Sequence, residues 1–338
     1  MIRKVFTYLS LCIAAAALFA CSPIDDGGNN GGNTDGGNNG GGNTELPGEE
    51  RNLYAFLCQI ADDNKAARKN GGEIKRVYIV SHRGNTKAGK AAGAPDNSVP
   101  AIGYAVANGA DMVELDVRTT SDGHFVMVHD ETIKATTGKN LKVADLTLEE
   151  IQSYAMISGN GKYYKDADGN YTYTPTLKQV LEACKDKIYV NLDIKAVSNR
   201  RKLIREIVAA GMGNQVMTYE SGYSTCRNYV EYAIEEGGVY NFCVHPHISK
   251  SSDIQQYKEL PSAKLFQYSY DIWVNGTSIS RDLHKDNVLT YSNILTYDSK
   301  IYSGNYTYLD KFLESDTDFI QTDYCEIVHD YLKSKGLR

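Results

Sequence analysis

No basic run longer than three residues occurs in this 338-residue chain, and acidic side chains outnumber basic ones, 42 against 36. The resulting net charge of -6 argues against a nucleic-acid footprint. The cysteines show no metal-ligand spacing, which leaves a thiolate-bound structural metal without support. Residues 22–49 have hardly an apolar side chain. A glycine- and asparagine-rich segment of that kind cannot bury enough surface to offset its ordering entropy, and is expected to be a flexible tether. The chain as a whole has ordinary hydrophobic and charged fractions, 42% and 23%, and its length leaves room for one large domain of the barrel class with accessories.

The chemistry-bearing residues concentrate between Ser81 and Gly138. In Met112-Val113-Glu114-Leu115-Asp116-Val117 the side chains alternate, so Glu114 and Asp116 share one face of a strand and Val113, Leu115 and Val117 the other. Carboxylates about 7 Å apart on a strand can share one hard divalent cation, although a solvated strand can carry the same pattern. Two further apolar runs each end in histidine: Val77–Ser81 before His82-Arg83-Gly84, and Phe125–Val128 before His129. Only seven residues, centred on Ser121-Asp122-Gly123, separate Val117 from Phe125. That spacing favours a hairpin with Asp116 opposite His129. Arg83 offers a planar fork of donors for phosphate or carboxylate, and Gly84 permits a sharp turn and close approach to a ligand. Later, Asn191, Asp193 and Lys195 alternate onto one face of Ile188–Lys195, a row of polar groups that a core strand cannot hold without partners.

Taken in order, His82-Arg83-Gly84, Pro95-Asp96-Asn97, Gly109-Ala110-Asp111, Glu114-x-Asp116-Val117, Thr120-x-Asp122-Gly123, His129-Asp130 and Thr136-Thr137-x-Gly138 resemble the glycerophosphodiester phosphodiesterase family. Pro175-Thr176-Leu177, Asn191–Lys195 and Gln321-Thr322-Asp323 extend the resemblance across residues 77–324. The resemblance implies an α/β fold, a (β/α)8 TIM-type barrel with its chemistry at the C-terminal strand ends. To this the sequence adds an N-terminal helix and a short insertion. It implies one divalent cation, Ca2+ or Mg2+, on Glu114, Asp116 and Asp193, and substrate phosphate on Arg83 and Lys195. His82 and His129 are then the acid–base pair, their individual roles open. The family usually has glutamate where this chain has Asp96 and Asp193.

Residues 1–21 read as a targeting segment: Arg3 and Lys4, then an apolar stretch, then Leu18-Phe19-Ala20-Cys21. The last four resemble the bacterial lipobox, implying cleavage before Cys21 and lipidation of its thiol. The expected product is exported and lipid-anchored in the bacterial cell envelope, at the outer membrane on its periplasmic or cell-surface face. Residues 22–49 tether a barrel domain spanning 50–338. With Cys12 and Cys21 assigned to this segment, five cysteines remain and nothing specifies a disulfide.

Leu53, Phe56, Leu57 and Ile60 mark a helix from about residue 49 to 70 that could cap the closed end of the barrel, with Gly71-Gly72 after it. Thr147–Glu150 and Thr176–Gln179 have capping-box spacing. Asp166–Asn170 has part of a calcium-loop pattern but lacks the remaining ligands, so it reads as a solvated turn. Strands are expected at Val216–Glu220, Tyr240–His245, Leu265–Tyr270, Val288–Ile294 and Phe319–Thr322. With the first four they make nine for an eight-stranded barrel, so one is accessory or the hairpin is not in the barrel. His245-Pro246-His247 reads as structural or substrate-loop rather than as a metal pair, and Trp273 only loosely matches a late aromatic of the family.

Three functions compete at this level. The first is metal-dependent hydrolysis of a glycerophosphodiester to sn-glycerol 3-phosphate and an alcohol. The second is a phospholipase acting on intact lipid. The third is a tethered lipoprotein of the same fold that binds phosphodiesters without turnover.

Overall fold

The computed structural model describes residues 51–69, 76–268 and 278–338. The targeting segment with Cys21, the tether, Gly71-Gly72 and Trp273 lie outside them. The described residues all belong to one compact unit, Leu46–Arg338.

Nine strands form: β1 (Tyr78–Ser81), β2 (Met112–Thr119), β3 (Phe125–Met127), β4 (Tyr189–Ala196), β5 (Val216–Glu220), β6 (Cys243–Ile248), β7 (Leu265–Tyr268), β8 (Leu289–Asn293) and β9 (Phe319–Thr322). Their order is β1-β9-β8-β7-β6-β5-β4-β2-β3, and β1 also pairs with β2, which closes eight parallel strands into a barrel. The ninth, β3, pairs antiparallel with β2 outside the barrel and is the accessory strand. The expected hairpin is therefore present, but its register differs by one residue. Val117 faces Met127 and Thr119 faces Phe125, so Val128 rather than His129 comes opposite Asp116, and its N–H donates to the Asp116 carbonyl at 3.0 Å. The cause is the loop. Thr120 pairs with His124 around the three residues Ser121-Asp122-Gly123, with Gly123 at φ +82, and an odd loop shifts the register by one. β6 also starts three residues later than expected, at Cys243.

Alternation divides each barrel strand. Val113, Leu115 and Val117 point outward into the layer of helices, where Ile102, Leu177, Val180 and Leu181 cover them. The inward positions are apolar only at the N-terminal ends, where Val80, Met112, Tyr189, Met217, Leu289 and Phe319 form a floor. The helix Leu53–Lys69 closes that floor with Leu53, Leu57, Ile60 and Ala61. Phe56 adds a stacked contact with Tyr189, ring centroids 4.8 Å apart. The expected cap is thus in place, and burying each such side chain contributes about 1.5–3 kcal/mol.

The excursion between β3 and β4 has both expected capping boxes, Thr147 with Glu150 and Thr176 with Gln179. Asp166 caps its own turn, its Oδ1 accepting from the Asp168 and Asn170 amides. Cys58, Cys184, Cys226, Cys243 and Cys325 are all free thiols. Among the described residues no helix is long and apolar enough to cross a membrane.

Candidate active site

The barrel register sets the site. Parallel pairing of β2 with β4 places Glu114 beside Asn191 and Asp116 beside Asp193, above the apolar floor. One ligand oxygen from each of Glu114, Asp116 and Asp193 lies within 4.8 Å of the others, the only such metal-holding group among the described residues. Burial, followed by the charges of Asp116 and Asp193, pushes the Glu114 carboxyl well above the usual carboxylate range. Burial also raises Asp193, against the hydrogen bond from Lys195. The buried Asp116 Oδ1 has no hydrogen-bond partner, only the Lys195 ammonium at 3.3 Å. Three crowded carboxylates with an unfilled oxygen are the donor set a hard divalent cation neutralises, and the shorter Asp193 still reaches the cluster. These residues fit such an ion.

His82 leaves the end of β1 in a tight turn. Arg83 (φ +51) and Gly84 (φ +64) are both left-handed, a conformation that costs about 1–3 kcal/mol at a non-glycine residue. The turn aims the Arg83 N–H at Glu114 Oε2, 3.0 Å away. Glycine at 84 serves the turn and also the packing: an added Cβ would lie 3.1 Å from Leu115 Cδ2 and 3.2 Å from Ile102 Cγ1. The His82 ring is held through Nδ1, 2.8 Å from Asp323 Oδ1, which leaves Nε2 toward the carboxylates, 4.0 Å from Glu114 Oε2. Burial pushes the Asp323 carboxyl up, but hydrogen bonds and charges of His82 and Lys90 outweigh it and bring its pKa down to about 2. Lys90 Nζ sits 2.9 Å from Asp323 Oδ2, and the Asp323 N–H donates to Asp298 at 2.7 Å.

His129 follows β3, just past the ladder. Arg118 fixes its backbone, donating from Nε and Nη2 to the His129 carbonyl at 3.0 and 2.8 Å. The ring Nδ1 is 2.8 Å from Asp130 Oδ1. Lys195 Nζ bridges Asp193 Oδ2 (2.8 Å) and Asp116 Oδ1 (3.3 Å). Arg83 spans Asp116 and Asp96 at 3.5 and 3.6 Å. His82, Arg83, Glu114, Asp116, His129, Asp193 and Lys195 all line one cavity of about 580 Å3 at the C-terminal end of the barrel. Every site residue expected from sequence is brought together there.

Sequence reasoning missed the residues that hold these groups. Asn97 (φ +58) donates to Asp116 Oδ2 at 2.8 Å and accepts from the Asp116 N–H at 2.9 Å. Gln321 donates to Glu114 Oε2 at 3.1 Å and accepts from the Tyr291 hydroxyl at 2.9 Å. Asn97, Gln321 and Asp323 belong to quoted motifs, so their positions were visible although their partners were not. Arg118 and Lys90 carried no signal. His245 is wholly buried against Asn191, and burial lowers its pKa to about 3, so it stays neutral inside the barrel. His247 lines the cavity.

Residues 82–232 match the Glycerophosphoryl diester phosphodiesterase family. A glycerophosphodiester phosphodiesterase of Caldanaerobacter subterraneus is 38% identical over 122 residues, which cover 36% of this chain and 46% of that protein. Human Lysophospholipase D GDPD1 is 34% identical over 129 residues, 38% of each chain. The chain spans less than half the length of these curated relatives. Its barrel resembles a crystal structure of a glycerophosphoryl diester phosphodiesterase from Parabacteroides distasonis, with a TM-score of 0.66 at 20% identity over 85% of this chain and 93% of that one. It also resembles an Oleispira antarctica phosphodiesterase in complex with the product sn-glycerol-3-phosphate, with a TM-score of 0.54 at 16% identity over 76% and 96% of the two chains. The ordered motifs and the matching segment make residues 82–232 similar to the Glycerophosphoryl diester phosphodiesterase family, and the closed barrel shares its fold with these solved structures.

Proposed function

We propose that this protein hydrolyses glycerophosphodiesters to sn-glycerol 3-phosphate and an alcohol. The observation that carries the proposal is the convergence of two buried carboxylates and a partly buried third, two histidines, Arg83 and Lys195 on a single cavity. Glu114, Asp116 and Asp193 are the residues that would hold a divalent cation, Ca2+ or Mg2+. The ion's contribution when bound is Lewis-acid neutralisation of phosphoryl charge. Arg83 and Lys195 orient the diester and offset the negative charge that grows on its oxygens as the bond to the nucleophile forms. One histidine takes the proton of the attacking hydroxyl, either from water directly or from the substrate's own glycerol, the latter giving a cyclic phosphate that water then opens to sn-glycerol 3-phosphate. The other returns a proton to the departing alkoxide, so the pair ends each turnover with its proton count restored. Asp323 and Asp130 each bond an Nδ1, which leaves Nε2 of each ring for the reacting oxygens.

The test is release of choline or ethanolamine from the corresponding glycerophosphodiester, with and without chelator and with added calcium or magnesium. Metal-restored release is expected; release indifferent to chelation, or none with either ion, refutes the reading. We also propose export and lipid anchoring through Cys21. Metabolic labelling with a radioactive fatty acid checks this: Cys21→Ser should abolish incorporation, and label retained in that variant sinks the anchor.

A further inference from the structure

The excursion between β3 and β4 folds into a small sheet of its own. Residues 155–158, 162–165 and 171–174 run antiparallel, with Ala155 opposite Tyr173, Ile157 opposite Tyr163 and Lys165 opposite Tyr171. Opposed residues share a face, and alternation sends their neighbours to the other one. Met156, Ser158 and Thr174 on the inner face are buried. The outer face presents Tyr163, Tyr171 and Tyr173, which are 59%, 48% and 41% exposed. Three of the seven large hydrophobic side chains exposed among the described residues thus fall on one small face, and a cluster needs a cause where scattered rings do not. With Tyr154 they border a hollow of about 380 Å3, to which Ser153 and Lys139 add polar groups. Tyr163 meets Tyr171 edge-on, ring centroids 6.0 Å apart at 78°. Lys165 Nζ lies 4.6 Å from the Tyr171 centroid, and Lys139 Nζ lies 5.9 Å from that of Tyr154. Neither lysine has a carboxylate partner among the described residues, and no carboxylate lines the hollow.

The chemistry of the face selects its occupant. A protein partner buries an apolar core, and a bilayer takes up an apolar wedge. Ala155 is the only aliphatic residue that lines this hollow. A pyranose ring, by contrast, carries weakly positive C–H bonds on its faces and hydroxyls around its edge. The C–H faces lie against the electron-rich faces of the tyrosines, and the hydroxyls exchange hydrogen bonds with the phenols and Ser153. Lys139 and Lys165, without acidic partners, complement negative charge on what binds. We propose that this sheet face is a binding site for an acidic polysaccharide, a chain of pyranose units that bear carboxylates. The hollow shares no lining residue with the catalytic cavity, so a bound glycan leaves that cavity open. The site is independent of the phosphodiesterase reading and stands or falls by itself.

Affinity electrophoresis of the full chain, in gels containing polygalacturonate, tests the proposal, with dextran gels as the neutral comparison. Polygalacturonate is expected to retard the protein, and dextran to retard it far less. Replacing both rings, Tyr163→Ala with Tyr171→Ala, should weaken polygalacturonate binding about tenfold. Replacing both cations, Lys139→Gln with Lys165→Gln, should weaken it about threefold and remove most of its salt dependence. Both variants should keep the parent Tm and the parent turnover of glycerophosphocholine, since none of the four side chains lines the catalytic cavity. A protein that polygalacturonate does not retard overturns the site, and so does a double-tyrosine variant of unchanged Tm that is retarded as strongly as the parent. Equal retardation by dextran overturns the acidic preference on which the proposal is framed. Sedimentation with phosphatidylglycerol vesicles that the tyrosine substitutions abolish, without retardation by polygalacturonate, gives the face to a membrane and overturns the glycan site.

Discussion

Two histidine–aspartate pairs stand at opposite ends of β9, and they are built for different ends. At the floor, Asp318 is wholly buried and saturated, accepting from Asn64, from the Thr290 amide and hydroxyl, and from His284 Nε2 at 2.6 Å. It ties the capping helix, β8 and β9 into one body. At the mouth, Asp323 bonds His82 through Nδ1 and leaves the other ring nitrogen toward the carboxylate cluster and the cavity. The lesson is one of access. At the floor Asp318 is filled by the protein and the other nitrogen of His284 is buried without a partner, so that pair serves the fold, whereas a pair with one nitrogen left toward a cavity can exchange a proton with something that enters it.

Substitutions separate the two ends. The largest effect is expected at the mouth: His82→Ala or His129→Ala should lower kcat about 10²–10⁴-fold while leaving Tm within a few degrees, measured by diester turnover and calorimetry. A variant that keeps most of its turnover would remove that histidine from the acid–base pair. At the floor the outcome should invert. Asp318→Asn is expected to cost about 3–5 kcal/mol in denaturant unfolding, because partners remain buried around a lost charge, with kcat per folded molecule unchanged. Leu57→Ala, in the capping helix, should cost about 2–5 kcal/mol by opening a cavity in the floor, again with kcat intact.

Asp323→Asn is a subtler test of the mouth. It should lower kcat roughly tenfold and move the limb of the pH–rate profile that reports His82, whereas a merely structural role would change stability and leave that profile in place. Asp298, which holds the Asp323 amide, gives the smallest effect. Burial raises its carboxyl to about 7, above an unfolded value of about 3.9. The folded protein therefore keeps a proton that the unfolded chain has lost across that window. Its stability contribution is complete below pH ~4 and fades as pH rises through ~7. Asp298→Asn should flatten that slope in urea titrations run between these values, and an unchanged slope would assign it elsewhere.

Much of this was legible beforehand, for physical reasons. Glu114 with Asp116, and Asp193 with Lys195, could be read because a strand repeats every two residues, and a polar row in an apolar strand has to meet something. The capping boxes at Thr147 and Thr176 could be read because they are local. The register of the β2–β3 hairpin was misjudged by one residue, since turn chemistry at Ser121-Asp122-Gly123 does not distinguish an even loop from an odd one. The sharp turn at Gly84 could be read and is borne out by its φ of +64, but its tight packing on Leu115 and Ile102 could not, since those neighbours come together only on folding.

The polypeptide by itself determined which side chains are inward, which strands exist and which groups could do chemistry, because those follow from spacing along one chain. Tertiary structure decided the partners. Asp323 lies 241 positions from His82 and Gln321 lies 207 from Glu114, and each pair meets only because β9 closes the barrel beside β1. No local pattern encodes contacts of that range; they arise from barrel closure, which burial of the whole core drives.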